Sequence, residues 1–163
     1  MQFYSTNRKT SPVSLREAVV RGLAADRGLF MPEVIRRFPP AFYQNMKEMT
    51  LREISFVVAE AFFGEDVEAG KLKEIVDETL NFDIPLVQVA DNRYSLELFH
   101  GPTLAFKDVG ARFMARLLAY FNKQEGERQV NVLVATSGDT GSAVANGFLD
   151  VPGVKVFVLY PQG

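Results

Sequence analysis

The sequence predicts an α/β protein in which a helical N-terminal lobe precedes the first part of a parallel-sheet domain. Segments of helical periodicity, introduced by capping boxes, fill residues 1–82. In residues 83–163, the apolar runs 129–136 and 154–161 have the composition of buried strands and flank a helix-type segment. Strands that alternate with helices favour right-handed crossovers and a parallel sheet. We therefore predict two domains, divided between residues 82 and 83.

Two capping boxes and a third cap candidate predict the helices of the first lobe. Ser14 and Thr50 are each followed three residues later by a glutamate, Glu17 and Glu53. Asp66 is a candidate cap for a third helix. The apolar positions at helical spacing are Leu15, Ala18, Val19, Gly22 and Leu23, then Leu51, Ile54, Val58, Ala61 and Phe62, then Leu72, Ile75, Val76, Thr79 and Leu80. "DRG", residues 26–28, is expected to close the first of these segments.

The second half contains the strand and helix signals of an incomplete sheet. The predicted elements are short strands near 86–89 and 94–99, a helix over about 108–122, the strand 129–136, a turn with a helix, and the strand 154–161. A parallel sheet needs neighbouring strands and a cover on both faces. We therefore expect a truncated domain, part of a larger protein, whose exposed sheet faces promote self-association.

The composition excludes several classes of site and partner. The chain has 163 residues, 47% hydrophobic and 23% charged, with a formal net charge of −2. A weak negative charge predicts binding neither to nucleic acid nor to an anionic membrane. Without cysteine and with one histidine, no metal site is expected. No apolar run approaches the ~20 residues that span a bilayer, and the polar N-terminus lacks a signal-peptide core, so we expect a cytoplasmic protein.

Lys107 is the strongest candidate for a catalytic residue. It follows the apolar residues Leu104 and Phe106 and precedes Asp108 and Val109 at the start of a predicted helix. A cation at a helix N-terminus opposes the helix dipole, and apolar surroundings also disfavour the charged ammonium. A lysine in such a place becomes a nucleophile or base, as a Schiff-base lysine must. The alternative is a solvated surface lysine, with Asp108 as the helix cap.

The loop "ATSGDTGSA", residues 135–143, is the second candidate site. It joins a predicted strand to a helix, where open α/β sheets bind ligands. Hydroxyls of Ser137, Thr140 and Ser142 and exposed helix-start amides suit a carboxylate or phosphate. The glycine spacing fits neither a P-loop nor a dinucleotide-binding fingerprint, which makes a nucleotide-binding domain a weak alternative. A plain turn with Asp139 as a cap is the other reading.

Two further polar groups are weaker candidates. His100 lies in a Gly-Pro turn, where a structural role is favoured over acid–base catalysis. Arg8 and Lys9 could hold a substrate phosphate, although a solvated terminus is the simpler interpretation.

Several segments, in order, resemble the threonine synthase family, pyridoxal-phosphate enzymes of the tryptophan synthase β fold type. They are "YSTN", "GLAADRGLFMPE", "LELFHGPTLAFKDVGARFMARLL", "VATSGDTGSAVA" and "VKVFVLYPQG". The most specific parts are "HGPTLAFKD" and "SGDTG". The resemblance implies a lyase of threonine biosynthesis that converts O-phosphohomoserine and water to threonine and phosphate by β,γ-elimination and replacement.

The resemblance also implies roles for individual residues. Lys107 would be the Schiff-base lysine and proton shuttle, Phe106 would pack on the cofactor ring, and Asp139 would contact the cofactor's 3-hydroxyl. The loop residues that would bind the substrate carboxylate are Ser137, Gly138, Thr140 and Gly141.

Members of this family continue well past the equivalent of residue 163. The loop for the cofactor phosphate and the partner of the pyridine nitrogen lie in that further part. The chain alone is therefore expected to be inactive and to bind the cofactor weakly at most. A phospholyase that does not form threonine, and a non-catalytic interaction module, remain alternatives.

Overall fold

The computed structural model describes residues 1–124, 126, 128–136 and 138–160, and the chain forms two compact units, Met1–Asp77 and Glu78–Gly163. No helix in those ranges is long and apolar enough to cross a membrane. Our domain limits, 1–82 and 83–163, stay a prediction.

A three-stranded antiparallel sheet, which the sequence did not predict, lies in the first unit. Strand β1, Gln2–Ser5, is central and pairs with β2, Val13–Ser14, and with β3, Phe30–Pro32. On β1 the side chains of Phe3 and Ser5 are buried and alternate with more accessible neighbours. Strands of two to four residues are too short to show a period-two pattern, so only their pairing reveals them.

The helices of the first unit begin largely where the capping boxes predicted. They are α1 Leu15–Arg21, α2 Pro40–Asn45, α3 Leu51–Phe63 and α4 Ala69–Thr79, with a 3₁₀ turn at Met46–Glu48; the last two residues of α4 fall in the second unit. The Ser14 hydroxyl accepts a hydrogen bond from the Glu17 amide at 3.2 Å. At α3 both bonds of the capping box are present, since Glu53 also accepts from the Thr50 amide at 2.7 Å. Both caps are confirmed.

The predicted cap of the third helix was wrong. Glu68 holds that position, and its carboxylate accepts hydrogen bonds from the amides of Gly70 at 2.9 Å and Lys71 at 3.2 Å. Asp66 instead binds the ammonium of Met1 at 3.0 Å. A glutamate two residues nearer the helix reaches its free amides, whereas Asp66 lies too far before the first turn.

The first helix ends earlier than its apolar spacing predicted. Gly22 caps α1 with φ 72°, a left-handed conformation that glycine adopts without strain. Leu23 lies beyond the cap and is 56% exposed. The following segment 26–28 therefore does not close the helix. By contrast, the predicted buried positions of α4 are confirmed: Leu72, Ile75, Val76, Thr79 and Leu80.

The second unit contains a hairpin and a strand–helix–strand crossover. The hairpin strands are β4 Leu86–Ala90 and β5 Arg93–Leu96, followed by α5 Lys107–Gln124, β6 Val130–Val134, α6 Asp139–Gly147 and β7 Val154–Val158. β6 and β7 pair in parallel, Val130 opposite Val154, and α6 packs on both strands and on α5. The parallel crossover is thereby confirmed.

The parallel strands are covered on one face within their unit, although both runs have the composition of buried strands. The valines of β6 and β7 are buried or half-buried, but Leu133 and Phe157 between them are 72% and 46% exposed. The strands are also shorter than predicted, because Leu159 and Tyr160 follow the last strand residue. An apolar face of this sheet is open in the described residues.

Candidate active site

Lys107 is the first residue of α5 and follows an irregular loop that begins after β5. The loop exposes two large apolar side chains, Leu104 at 76% and Phe106 at 60%. Leu104 has φ 57°, a left-handed conformation that is costly for a branched side chain. The surrounding residues thus hold an unfavourable backbone conformation three positions before the candidate lysine.

The ammonium group of Lys107 lies beside one aromatic ring. Its Nζ is 5.0 Å from the centroid of Phe106, within cation–π range. Across the described ranges, 1–124, 126, 128–136 and 138–160, it takes part in no hydrogen bond or ion pair. Its residue is half-buried, so the apolar surroundings that the sequence predicted are open on one side. The amine is therefore accessible to a ligand.

Asp108 does not cap the helix, as had been predicted, but lies inside its first turn. It is 0% exposed, and its carboxylate accepts hydrogen bonds from the Thr103 amide at 2.9 Å and the Thr103 hydroxyl at 2.6 Å. A Cβ at Gly101 would lie 2.5 Å from Asp108 Oδ2. The carboxylate thus fills the space below the loop and ties the loop to α5. Sequence reasoning missed the role of Thr103, for which the five-residue spacing to Asp108 is the only signal.

The second candidate loop turns tightly between β6 and α6. Its Thr136 hydroxyl accepts from the Gly138 amide at 3.3 Å, and a Cβ at Gly141 would overlap the Thr136 carbonyl. Gly138 is the helix cap and supplies no side-chain bond, so Asp139 is the first helical residue and not the cap. Asp139 and Thr140 are exposed. Ser137 lies outside the described residues.

The two candidate segments lie at the starts of helices that pack together. A Cβ at Gly147, the last residue of α6, would lie 3.0 Å from the backbone of Ala111 on α5, so a glycine is needed for this close approach. No hydrogen bond or ion pair joins Lys107 to Asp139 in the part of the chain that the structure describes. The structure therefore places Phe106 beside Lys107, while no described hydrogen bond links this pair to the loop at Gly138 and Gly141.

The weaker candidates have structural partners. His100 Nε2 lies 2.7 Å from Glu97 Oε2 at the surface. Arg8 stacks on the ring of Tyr4, 4.4 Å from its centroid, and the Lys9 amide donates to Asp26 at 2.9 Å. Among the described residues no group of three or more acidic, histidine or cysteine side chains could hold a metal ion.

The sequence has close relatives along its whole length. Residues 2–80 match a family model described as "Threonine synthase N terminus". A threonine synthase of Serratia marcescens is 42% identical over 163 residues, which make up 100% of this chain and 37% of that protein. The chain belongs to the threonine synthase family. The resemblance seen in the motifs is thereby confirmed.

Solved threonine synthases share the fold. The crystal structure of the Escherichia coli enzyme matches 100% of this chain and 37% of its own, with a TM-score of 0.89 and 40% identity. A structure described as PLP-bound threonine synthase from Brucella melitensis matches 100% of this chain and 36% of its own, with a TM-score of 0.93 and 35% identity. This chain thus spans little more than a third of its relatives' length and corresponds to their N-terminal part.

Proposed function

We propose that this chain supplies the lysine-bearing part of a threonine synthase, a carbon–oxygen lyase that converts O-phosphohomoserine and water to threonine and phosphate. The observation that carries this proposal is Lys107, a half-buried residue at the start of α5 whose ammonium lies beside the Phe106 ring and has no hydrogen bond or ion pair among the described residues. Membership of the family supports this reaction, and the position of the amine supports Lys107 as the residue that takes part in it. We propose a cytoplasmic location, which the lack of cysteine favours.

The residues of this unit fit pyridoxal phosphate. An accessible amine is the group that an aldehyde cofactor requires, and the adjoining Phe106 ring, 60% exposed, offers a flat apolar surface for its ring. Lys107 would hold the cofactor through Nζ, and Asp139 would face its 3-hydroxyl. When bound, the cofactor withdraws electrons from the substrate's carbon chain. The Lys107 amine would then carry protons among the α, β and γ carbons of the substrate.

The loop before α6 would orient the substrate carboxylate. Gly138 caps α6 without a side-chain bond, so the first amides of the helix remain available to an anion. The tight approach of Gly141 to the Thr136 carbonyl holds this turn in one conformation. By resemblance to the family, the residues that bind the carboxylate would be Ser137, Gly138, Thr140 and Gly141.

The 163-residue chain alone would not convert the substrate. By analogy with the family, the loop for the cofactor phosphate and the partner of the pyridine nitrogen lie outside these residues. The exposed face of β6 and β7 would instead favour self-association in this chain. A longer protein that eliminates phosphate but forms a ketoacid would be a phospholyase, and product analysis separates the two activities.

Borohydride trapping tests the proposed lysine directly. The chain is mixed with pyridoxal phosphate, reduced, digested, and the adducts are located by peptide mass spectrometry. We expect the adduct at Lys107, and its loss in Lys107→Arg. The matched control is Lys123→Arg, at the exposed end of the same helix, which should leave the adduct in place. A selective adduct at a lysine other than Lys107 would contradict the proposal, whereas labelling spread evenly over the surface lysines would mean that these residues alone do not form the cofactor site.

A further inference from the structure

A fully buried carboxylate lies next to the candidate lysine in the sequence. Asp108 is 0% exposed, and each of its oxygens accepts one hydrogen bond from Thr103, from the amide at 2.9 Å and from the hydroxyl at 2.6 Å. Burying a carboxylate is costly unless hydrogen bonds and charges compensate it. The roles described so far for the lysine and the loop make no use of this group.

The surroundings of Asp108 lower that cost. Its position in the first turn of α5 places it at the positive end of the helix dipole. Burial and the charge of Arg116 lower the pKa of Arg112, one turn further along α5, and the charge of Asp108 acts in the opposite direction. The carboxylate is thus held by one threonine, the helix dipole and a neighbouring cation.

The bonds from Thr103 bracket the strained part of the loop. Leu104, with φ 57°, and Phe106 lie between the two bonded residues. The Asp108 amide also donates to the Ala105 carbonyl at 3.0 Å, which closes the same segment from the backbone. The four residues between the two bonded ends, 104–107, are thereby confined from both sides. Lys107, the first residue of α5, is the last of them.

We propose that Asp108 and Thr103 are positioning residues for Lys107. Their hydrogen bonds lock the loop, hold Leu104 in its strained conformation, and fix the direction in which the Lys107 amine and the Phe106 ring meet an aldehyde ligand. The proposal rests on the proposed function of Lys107. Without the two bonds, Leu104 relaxes toward negative φ and the amine samples many directions.

The first test needs neither cofactor nor catalysis. Trace labelling with acetic anhydride measures the reactivity of Lys107 against Lys123, an internal reference at the far end of the same helix. Half-buried Lys107 should react more slowly than Lys123 in the unchanged chain. In Thr103→Val and in Asp108→Asn the ratio of Lys107 to Lys123 acetylation should rise by about fivefold to tenfold, because this is the equilibrium factor that corresponds to the net contribution of one hydrogen bond. Thr103→Ser keeps the hydroxyl and should restore the original ratio.

Amide hydrogen exchange tests the bond without any substitution. The Thr103 amide should exchange slowly in the unchanged chain because it donates to a buried carboxylate. Fast exchange there, or a ratio in Thr103→Val equal to that of the unchanged chain, would overturn the positioning role. This readout remains decisive if a variant fails to fold.

The outcomes separate this inference from the proposed function. One outcome is selective trapping of pyridoxal phosphate at Lys107 together with a Lys107-to-Lys123 acetylation ratio that is the same in the variants and in the unchanged chain. It would support the proposed function and contradict the positioning role. A selective adduct at another lysine, with ratios that respond and are rescued by Thr103→Ser, would support the locked loop and reject Lys107 as the cofactor lysine.

Discussion

The hydroxyl of Ser5 donates a hydrogen bond of 2.6 Å to Oδ1 of Asp26, 21 residues further along the chain. Ser5 is 0% exposed. The same carboxylate accepts from the amides of Lys9 at 2.9 Å and Gly28 at 3.0 Å. One aspartate therefore joins the central strand of the first sheet, the turn that follows it and the loop that leads to β3.

We expect Asp26 to make the stability of the first unit depend on acid pH. The hydrogen bond from Ser5, followed by those from backbone amides, holds the pKa of Asp26 below its ordinary value. A lowered folded-state pKa adds stability above the unfolded-state value, about 3.9, and that stability is lost as the pH falls through the folded-state pKa. In urea unfolding, the difference between the unchanged chain and Asp26→Asn should be largest near neutral pH and shrink below about pH 4.

Hydrogen bonds from Thr50 and from the N-terminal ammonium also lower the pKa values of Glu53 and Glu65, so the difference between variants is the informative quantity. Ser5→Ala removes the first hydrogen bond and should reduce the same pH dependence. A pH-independent difference between the unchanged chain and Asp26→Asn would contradict the assignment.

Gly28→Ala should destabilise the first unit. A Cβ at this position would overlap Ser5 Oγ and lie 2.9 Å from the Asn7 amide, so it would break the Ser5–Asp26 bond. Overpacking of this kind costs about 1–3 kcal/mol in the free energy of unfolding. Chemical denaturation measures the loss, and a neutral result would show that the loop can move away without cost.

Gly141→Ala should disturb the loop before α6, because its Cβ would overlap the Thr136 carbonyl, which belongs to the backbone and cannot rotate away. Its matched control is Gly110→Ala, at an exposed position inside α5 with nothing within 4 Å. There alanine should raise the free energy of unfolding by roughly 0.5–1 kcal/mol, since glycine is unfavourable within a helix. Thermal unfolding of both variants checks the opposite signs; two effects of equal sign would refute the geometry.

Arg112→Lys should destabilise the second unit more than Arg116→Lys. The Arg112 guanidinium donates to the carbonyls of Glu78 at 2.6 Å and Thr79 at 3.2 Å and to Asn81 Oδ1 at 2.9 Å. A lysine cannot serve these acceptors together, and losing hydrogen bonds to a charged group costs about 1.5–3 kcal/mol.

The matched variant at Arg116 loses mainly a bond to the exposed Glu78 carboxylate, for which about 0–1 kcal/mol is expected. The midpoints of urea unfolding compare the two variants. Equal losses in the free energy of unfolding at both positions would mean that water hydrogen-bonds the carbonyls as well as the Arg112 guanidinium does.

The local signals in the sequence were reliable where a few neighbouring residues decide the structure. The caps at Ser14 and Thr50 bond the amides three residues later, and the buried face of α4 follows the 3.6-residue repeat. The strand–helix–strand order predicted the parallel pair, because a helix between two neighbouring strands returns the chain to the sheet edge from which it started. Family membership followed from the motifs around Lys107 and Gly138.

By itself, therefore, the sequence determined the starts of α1 and α3, the parallel crossover, the family and the candidate lysine, all of which depend on contacts within a few positions or on matching motifs. The tertiary structure alone decided the first sheet, the partners of Asp26, and the burial of Asp108 under the loop before Lys107. An acidic residue looks the same in the sequence whether its carboxylate caps a helix, binds an ammonium or fills a space beneath a glycine. Which of these occurs depends on backbone groups brought together by folding, and those groups carry no sequence signal.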